Sequence, residues 1–167
     1  MPWQPFHAVI DLPWEKAEAA MAGNASKAQA AATRSLRELL RKLRDTRRGP
    51  RGSGDEGSDR GVEVVAAGIV AGGGQNPAQI PNPHIRAHAA EGRLFRESAE
   101  RAAQANGLTW RSFAQKSLYP TVAAELRYSV AALRSKVAAL GAGRIKPWRG
   151  EEKEAAAAAW AALAGGG

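Results

Sequence analysis

Cysteine is absent from this chain of 167 residues, and so are long apolar runs. The lack of cysteine excludes disulfides, thiolate zinc sites and a cysteine nucleophile. No segment approaches the roughly 18 apolar residues that a membrane-spanning helix needs. Met1–Phe6 shows no basic stretch leading into an apolar run, so no signal peptide is expected. These absences predict a cytoplasmic protein that makes no membrane contact.

Acidic residues are scarce beside basic ones, with 16 Asp and Glu against 24 Lys and Arg, a net charge of +8 and a pI near 10.4. Such an excess attracts polyanions, which include nucleic acid and phosphorylated ligands. Nucleic acid is the partner we expect, because the basic residues are also patterned. The alternative is a solvated basic surface, and a homodimer is retained as a candidate assembly.

The length predicts one domain, residues 1–167, with a flexible loop at 49–61 and a disordered tail at 164–167. Apolar periodicity and helix-capping residues predict alternating strands and helices. In chain order these are a strand at Phe6–Leu12, a helix at Trp14–Arg47 with an interruption near Gly23–Asn24, a strand at Val62–Val70, a helix at Pro83–Asn106, a strand at Leu108–Ala114, a helix from Pro120 to Leu140 and a helix at Glu151–Leu163. This order predicts an α/β fold of three layers, in which a short, mostly parallel sheet is flanked by helices.

The helix after Asn82 carries His84, His88 and Glu91 on one narrow face. The far end of that face is apolar, with Phe95, so the face is expected to pack inward. Burying such polar groups is unfavourable unless they are paired, bound to metal or reached by solvent in a cleft. Three interpretations follow: an internal hydrogen-bonded network, a divalent-metal site completed by Asp11, or an acid–base or phosphate site that uses Arg86 and the helix amides.

One side of the first long helix is apolar, with Leu36, Leu39, Leu40 and Leu43. Arginines recur at three- and four-residue steps on a different face of the same helix. A row of guanidinium groups is either a solvated face or a surface that contacts phosphates. Two arginines of the second long helix are added as candidate contacts. The predicted nucleic-acid-binding residues are Arg34, Arg37, Arg41, Arg44, Arg48, Arg86 and Arg93.

From Val62 to Leu163 the order of elements resembles the later part of RuvC-type Holliday-junction resolvases. The elements that carry the resemblance are the strand ending at Ala71, the helix at Pro83–Asn106, the strand at Leu108–Ala114, a helix bearing Lys136 and Val137, and a last helix that begins with Glu151, Glu152 and Glu154. The resemblance implies a ribonuclease H-like fold and a nuclease whose carboxylates hold magnesium. Asp11 would match the first-strand aspartate and Glu152 the last-helix acid, whereas the middle-strand glutamate has no counterpart.

The leading hypothesis is therefore a nucleic-acid-binding protein that acts as a metal-dependent nuclease. Its metal, Mg²⁺ or another divalent ion, would be held by Asp11, Glu91 and either Glu152 or its neighbour Glu151, while His84, His88 and Glu91 would be catalytic. One alternative is a small-molecule enzyme that uses the His/Glu cluster on a phosphorylated substrate. The other is a non-catalytic protein that binds an acidic partner.

Overall fold

The structure, a computed structural model, describes residues 5–45, 63–72, 74–141 and 147–165. These residues form a mixed α/β arrangement, as the sequence predicts. The predicted loop at 49–61 and the last two residues of the predicted tail lie outside these ranges. The helices are α1 Trp14–Asp45, α2 Pro83–Ala105, α3 Leu118–Glu125, α4 Val130–Leu140 and α5 Gly150–Ala164, and the strands are β1 Ala66–Ala71 and β2 Thr109–Ala114.

Strands β1 and β2 pair in parallel, with Ala66 opposite Thr109 and Ala71 opposite Ala114. Helix α2 connects them, as a parallel pair requires a crossover, so both strands end at the same edge of the sheet. In the described part of the chain the sheet has these two strands alone. The parallel pairing is confirmed, whereas the three layers and the ribonuclease H-like arrangement stay predictions.

The strand predicted at Phe6–Leu12 is wrong, because the segment forms a 3₁₀ helix at His7–Val9 flanked by turns. A short apolar run does not by itself distinguish a strand from a buried helical turn. Here Phe6 stacks on Trp14 with ring centroids 5.8 Å apart, and the segment packs on α2 instead of joining the sheet. Asp11 consequently lies in an exposed turn before α1, not at the end of a strand.

Helices α1 and α2 lie side by side and run in the same direction. Near one end Glu18 pairs with Arg93, and near the other the Asn106 side chain donates to the Thr33 carbonyl at 3.3 Å. Helix α1 continues through Gly23–Asn24, so the predicted interruption is wrong.

The apolar faces of these two helices differ from the sequence prediction. Among the four leucines at 36, 39, 40 and 43, Leu40 is the one that is buried. On α2, Leu94 and Ser98 are buried, whereas Phe95, which the sequence places on the inward face, is half exposed. The inward face of α2 is therefore rotated by about one residue from the predicted one.

The helix predicted from Pro120 to Leu140 is two helices, because Arg127 adopts a left-handed backbone conformation at φ 57°. Ser129 then caps α4, its hydroxyl oxygen accepting from the Ala132 amide at 3.1 Å. Both helices pack with α5 around a core that includes Leu118, Val122 and Leu133. No helix of the described ranges has the length and apolar character required to cross a bilayer.

Candidate metal centre

Two histidines meet at the start of α2. The side-chain oxygen of Asn82 accepts from the Ile85 amide at 3.0 Å and Pro83 occupies the first turn, so the helix begins where the sequence predicts. His84 and His88, four residues apart, then lie on one face. Their Nε2 atoms are 3.2 Å apart, a distance at which one imidazole donates to the other.

A third histidine joins them from the other end of the sequence. His7, in the 3₁₀ helix, has its ring centroid 5.1 Å from that of His84 and 4.5 Å from that of His88. One nitrogen from each ring lies within 4.8 Å of the others. These three are all the histidines of the chain, and together they could hold a metal ion. We call them the histidine cluster.

The carboxylate of Glu91 lies behind the histidine cluster and is almost fully buried. Its Oε1 accepts from His7 Nδ1 at 3.0 Å, and its Oε2 lies 3.9 Å from His88 Nδ1. The other nitrogen of His7, Nε2, is buried and has no hydrogen-bond partner among the described residues. A buried polar atom without a partner is uncommon in proteins. Glu91 thus fixes the ring of His7 and leaves one of its nitrogens unsatisfied.

The spacing of the histidine cluster fits a transition metal. Two imidazole nitrogens bound to Zn²⁺ at about 2.0–2.1 Å in tetrahedral geometry lie roughly 3.4 Å apart. The separation of 3.2 Å between His84 and His88 is close to that value. A carboxylate that accepts from the non-ligating nitrogen of a histidine, as Glu91 does with His7, is the usual second layer of such a site.

The carboxylates predicted to bind metal are not brought together. Asp11 is exposed in the turn before α1. Glu152 stabilises the start of α5, where its Oε2 accepts from the Arg149 amide at 2.8 Å. Neither belongs to a group of described residues able to share an ion. Of the carboxylates predicted as ligands only Glu91 is at the cluster, and His7 is the member that the sequence prediction missed.

The predicted arginine face of α1 lies far from the histidine cluster. Arg34, Arg37, Arg41 and Arg44 are all exposed, and Arg41 pairs with Asp45 at 3.0 Å. Arg48 lies outside the described residues. Arg34 follows the first residue of α1 by about 20 positions, which corresponds to roughly 30 Å along the helix axis. The four arginines and the histidines are therefore at opposite ends of α1.

The two arginines of α2 occupy different surroundings. The guanidinium group of Arg93 pairs with Glu18 and lies 5.6 Å from the ring centroid of Trp14, so it helps to hold α1 against α2. Arg86 is half-buried at a small hollow that Phe6 and Trp14 also line. Both side chains lie at the end of the molecule that carries the histidines.

A cleft of about 370 Å³ opens directly beside His88. It follows the carboxyl end of β1, through Gly72 and Gly74, and reaches Arg96 of α2. Ligands of α/β proteins bind most often at this edge of a parallel sheet. The histidine cluster thus borders, through His88, an open space of a size that a ligand can enter.

Comparisons with protein-family models, with curated proteins and with solved structures find no match to this chain. The histidine cluster and the surfaces around it are therefore the features from which a function can be inferred.

Proposed function

We propose that the protein binds a transition-metal ion, Zn²⁺ in first place, through His7, His84 and His88, and uses it to hydrolyse a phosphorylated substrate. The observation that carries the proposal is the convergence of all three imidazoles of the chain in front of one buried carboxylate, Glu91. Separated by 84 positions along the chain, His7 and Glu91 meet only because the fold brings them together.

The donor set decides between the candidate metals. Imidazole nitrogens suit zinc, copper, iron and nickel, whereas magnesium prefers carboxylate, carbonyl and water oxygens. The described residues place three imidazoles together and bring neither Asp11 nor Glu152 to them. We therefore favour a divalent transition metal over Mg²⁺, the first ion that the sequence suggests.

Three protein ligands leave a further coordination position, which is the arrangement of catalytic rather than structural zinc sites. A bound Zn²⁺ would act as a Lewis acid toward water and toward a phosphoryl oxygen. His84 and His88 are exposed and His88 lines the cleft, so water and substrate can both reach this position. Glu91 is a positioning residue, because its contacts are with the histidines and not with the cleft.

The proposal is tested by calorimetric titration of chelator-treated protein with ZnCl₂ and, separately, with MgCl₂. We expect one Zn²⁺ per chain and no heat of binding with Mg²⁺. His7→Ala and His84→Ala are each expected to abolish Zn²⁺ binding. Asp11→Asn and Glu152→Gln are matched controls, because both residues lie outside the cluster, and they should bind Zn²⁺ like the unmodified protein.

Hydrolysis is measured on the same samples with a chromogenic phosphate monoester and diester. Activity should appear on adding Zn²⁺ and should be absent from the His84→Ala protein. Equal Zn²⁺ binding by the His84→Ala and unmodified proteins would refute the metal site. Zn²⁺ binding without any hydrolysis would refute the catalytic part and leave a metal-binding protein.

A second function, nucleic-acid binding, is favoured by a separate observation. Four arginines of α1 are exposed on one side of the helix, and among the described residues Arg34, Arg37 and Arg44 form no ion pair. Guanidinium groups in such a row suit consecutive phosphates of a nucleic-acid backbone. A nuclease with a ribonuclease H-like, three-layered core, as the order of elements suggests, belongs to this second proposal.

A further inference from the structure

The charged side chains that line the cleft beside His88 are all basic. Its charged lining consists of Arg93, Arg96 and Lys116, and no carboxylate is among its described lining residues. The Arg93 guanidinium is already engaged by Glu18, so Arg96 and Lys116 are the cations that remain for a ligand. An anion placed between them would gain two charge-assisted contacts.

The shape of the cleft follows from one row of residues on α2. His88, Gly92 and Arg96 are four residues apart, so they succeed one another along the same face. A Cβ atom at Gly92 would meet no atom of the described residues within 4 Å, which leaves the floor of the cleft open between the imidazole and the guanidinium. Over eight residues the helix rises roughly 12 Å. A ligand can therefore contact the metal position at one end and Arg96 at the other.

Gly74 and the side chains of Arg96 and Lys116 form the far end of the cleft. Gly74, in the loop after β1, lies so close to Arg96 that a Cβ there would be 3.7 Å from its Nη1. Lys116 follows β2 in a short 3₁₀ helix, is exposed, and forms no ion pair with any described residue. Arg96 has one weak partner, Glu100, with Nε and Oε1 3.8 Å apart. Two cations at the carboxyl edge of the sheet thus face the same space.

We infer that Arg96 and Lys116 bind a phosphate group of the substrate, while the reacting bond lies at the histidine cluster. This inference rests on the proposed function for its catalytic meaning, yet phosphate binding itself needs no metal. Two cations, a guanidinium and an ammonium group, face the same space. A phosphate dianion carries two negative charges and can neutralise both, whereas a carboxylate carries one, so phosphate matches the site better. The substrate class is an ester that carries a phosphate remote from the reacting bond, since the helix rises roughly 12 Å between His88 and Arg96.

The test uses the full chain, freed of metal with a chelator, and inorganic phosphate as the probe. Binding is followed by amide NMR, where the signals of Gly74 and Gly92 should shift on titration. Arg96→Gln and Lys116→Gln should each weaken phosphate binding by about tenfold, which corresponds to one charge-assisted hydrogen bond. Arg101→Gln is the matched control, since it removes the same charge from an exposed position of α2 outside the cleft; its affinity should stay within about twofold.

A second variant tests the floor of the cleft without changing charge. Gly92→Leu places a side chain in open space, so the protein should fold and bind Zn²⁺ but lose phosphate binding. If Arg96→Gln and Arg101→Gln weaken phosphate binding equally, the attraction is that of the whole basic surface and the site is refuted. Phosphate binding without Zn²⁺ binding would refute the proposed function alone, and Zn²⁺ binding without phosphate binding would refute this inference alone.

Discussion

Glu91 illustrates how a single buried carboxylate organises its neighbours. The residue is 4% exposed, and each of its oxygens is directed at the Nδ1 atom of a different histidine. A buried carboxylate is tolerated where such partners replace its hydration. It also connects the 3₁₀ helix to α2, because His7 and His88 belong to separate segments.

Replacing Glu91 should affect metal affinity and stability in different proportions. Glu91→Gln keeps the shape and one acceptor oxygen but removes the charge, so we expect Zn²⁺ affinity to fall by about 10- to 100-fold with a small change in unfolding free energy. Glu91→Ala leaves His7 Nδ1 without its partner, which should lower the metal-free unfolding free energy by about 1–3 kcal/mol as well. Calorimetry and urea unfolding measure the two effects. Equal Zn²⁺ affinity in Glu91→Gln and unmodified protein would contradict a positioning role.

The sequence predicts the residues that α2 contributes to the site, but it does not predict that His7 joins them. His84, His88 and Glu91 are related by helical spacing, which is local and readable. His7 has no such relation to them, since its partner Glu91 is 84 residues away and its own segment imitates a strand. The rarity of histidine, three in the whole chain, is the one signal that points to all members.

At the scale of elements, β1 and α5 pack at van der Waals limits. A Cβ atom at Gly68 would overlap the backbone of Ala158 and Ala159, so the strand approaches this helix with no side chain between them. The facing residues of α5, Ala157, Ala158 and Ala161, are buried alanines. Small residues on both sides allow the sheet and the final helix to contact closely.

A pair of glycine variants separates packing from helix propensity. Gly68→Ala should lower the unfolding free energy by about 3 kcal/mol or more, because rigid backbone cannot yield to the new methyl group. Gly23→Ala lies within α1, and no atom of the described part of the chain lies within 4 Å of its Cβ position, so it should raise the unfolding free energy by about 0.5–1 kcal/mol. Thermal or urea unfolding provides both values. A neutral Gly68→Ala would show that α5 does not lie against β1 as described.

Arg111 of β2 joins three elements. Its Nη2 donates to Glu125 Oε1 at 2.7 Å and its Nη1 to Glu125 Oε2 at 2.9 Å, while Nη1 also reaches the Ala161 carbonyl of α5 at 3.1 Å. The hydrogen bonds from Arg111 lower the pKa of the Glu125 carboxyl below its ordinary value, and the proximity of the guanidinium charge adds to this. The pair is partly exposed, so its contribution to stability is small.

The direction of that pKa shift fixes the pH dependence. Because the pKa of Glu125 is lower in the folded chain, the pair stabilises the protein above the unfolded pKa, near 4.5, and this contribution is lost as the pH falls through the folded pKa. Glu125→Gln should therefore be less stable than the unmodified protein at pH 7, and the two should become equally stable at pH values well below 4.5. Chemical unfolding at several pH values measures the difference; one that is constant with pH would contradict the ion pair.

Element boundaries that local chemistry sets were predicted well. Asn82–Pro83 and Asn106–Gly107 mark the ends of α2, and the observed helix matches them within a residue. The division between α3 and α4 was missed because Arg127, a residue without turn preference, takes the left-handed conformation there. The parallel pairing of β1 and β2 followed from the helix between them.

At the scale of the whole molecule, the exposed arginines of α1 and the histidine cluster lie at opposite ends of that helix. The exposed arginines begin about 20 residues after Trp14, the first residue of α1. The histidine cluster lies at the other end of α1, near Trp14. If nucleic acid binds, its contacts should depend on the arginine end and should not require the metal. Substitutions at one end of α1 should therefore abolish one proposed function and leave the other intact.

Changing Arg34, Arg37, Arg41 and Arg44 to Gln together tests this separation. Each phosphate contact contributes about 0.9 to the slope of log affinity against log salt, so four lost contacts should reduce the slope by about 3 to 4 on duplex DNA. Zn²⁺ binding should be unchanged in this variant. Fluorescence anisotropy at several salt concentrations gives the slope, with His84→Ala as the control that should keep it. An unchanged slope in the fourfold variant would exclude this face as the contact surface.

The length of α1 sets a spacing between the two ends. The helix has 32 residues and extends roughly 48 Å. From Trp14 to the middle of the arginines is roughly 37 Å, which corresponds to about 11 base pairs at 3.4 Å each. If a duplex lay alongside α1 with a scissile bond near the start of that helix, the break would fall about one helical turn from the phosphates that the arginines hold. The length of the continuous helix α1, more than any base contact, would then determine where the nucleic-acid backbone is cut.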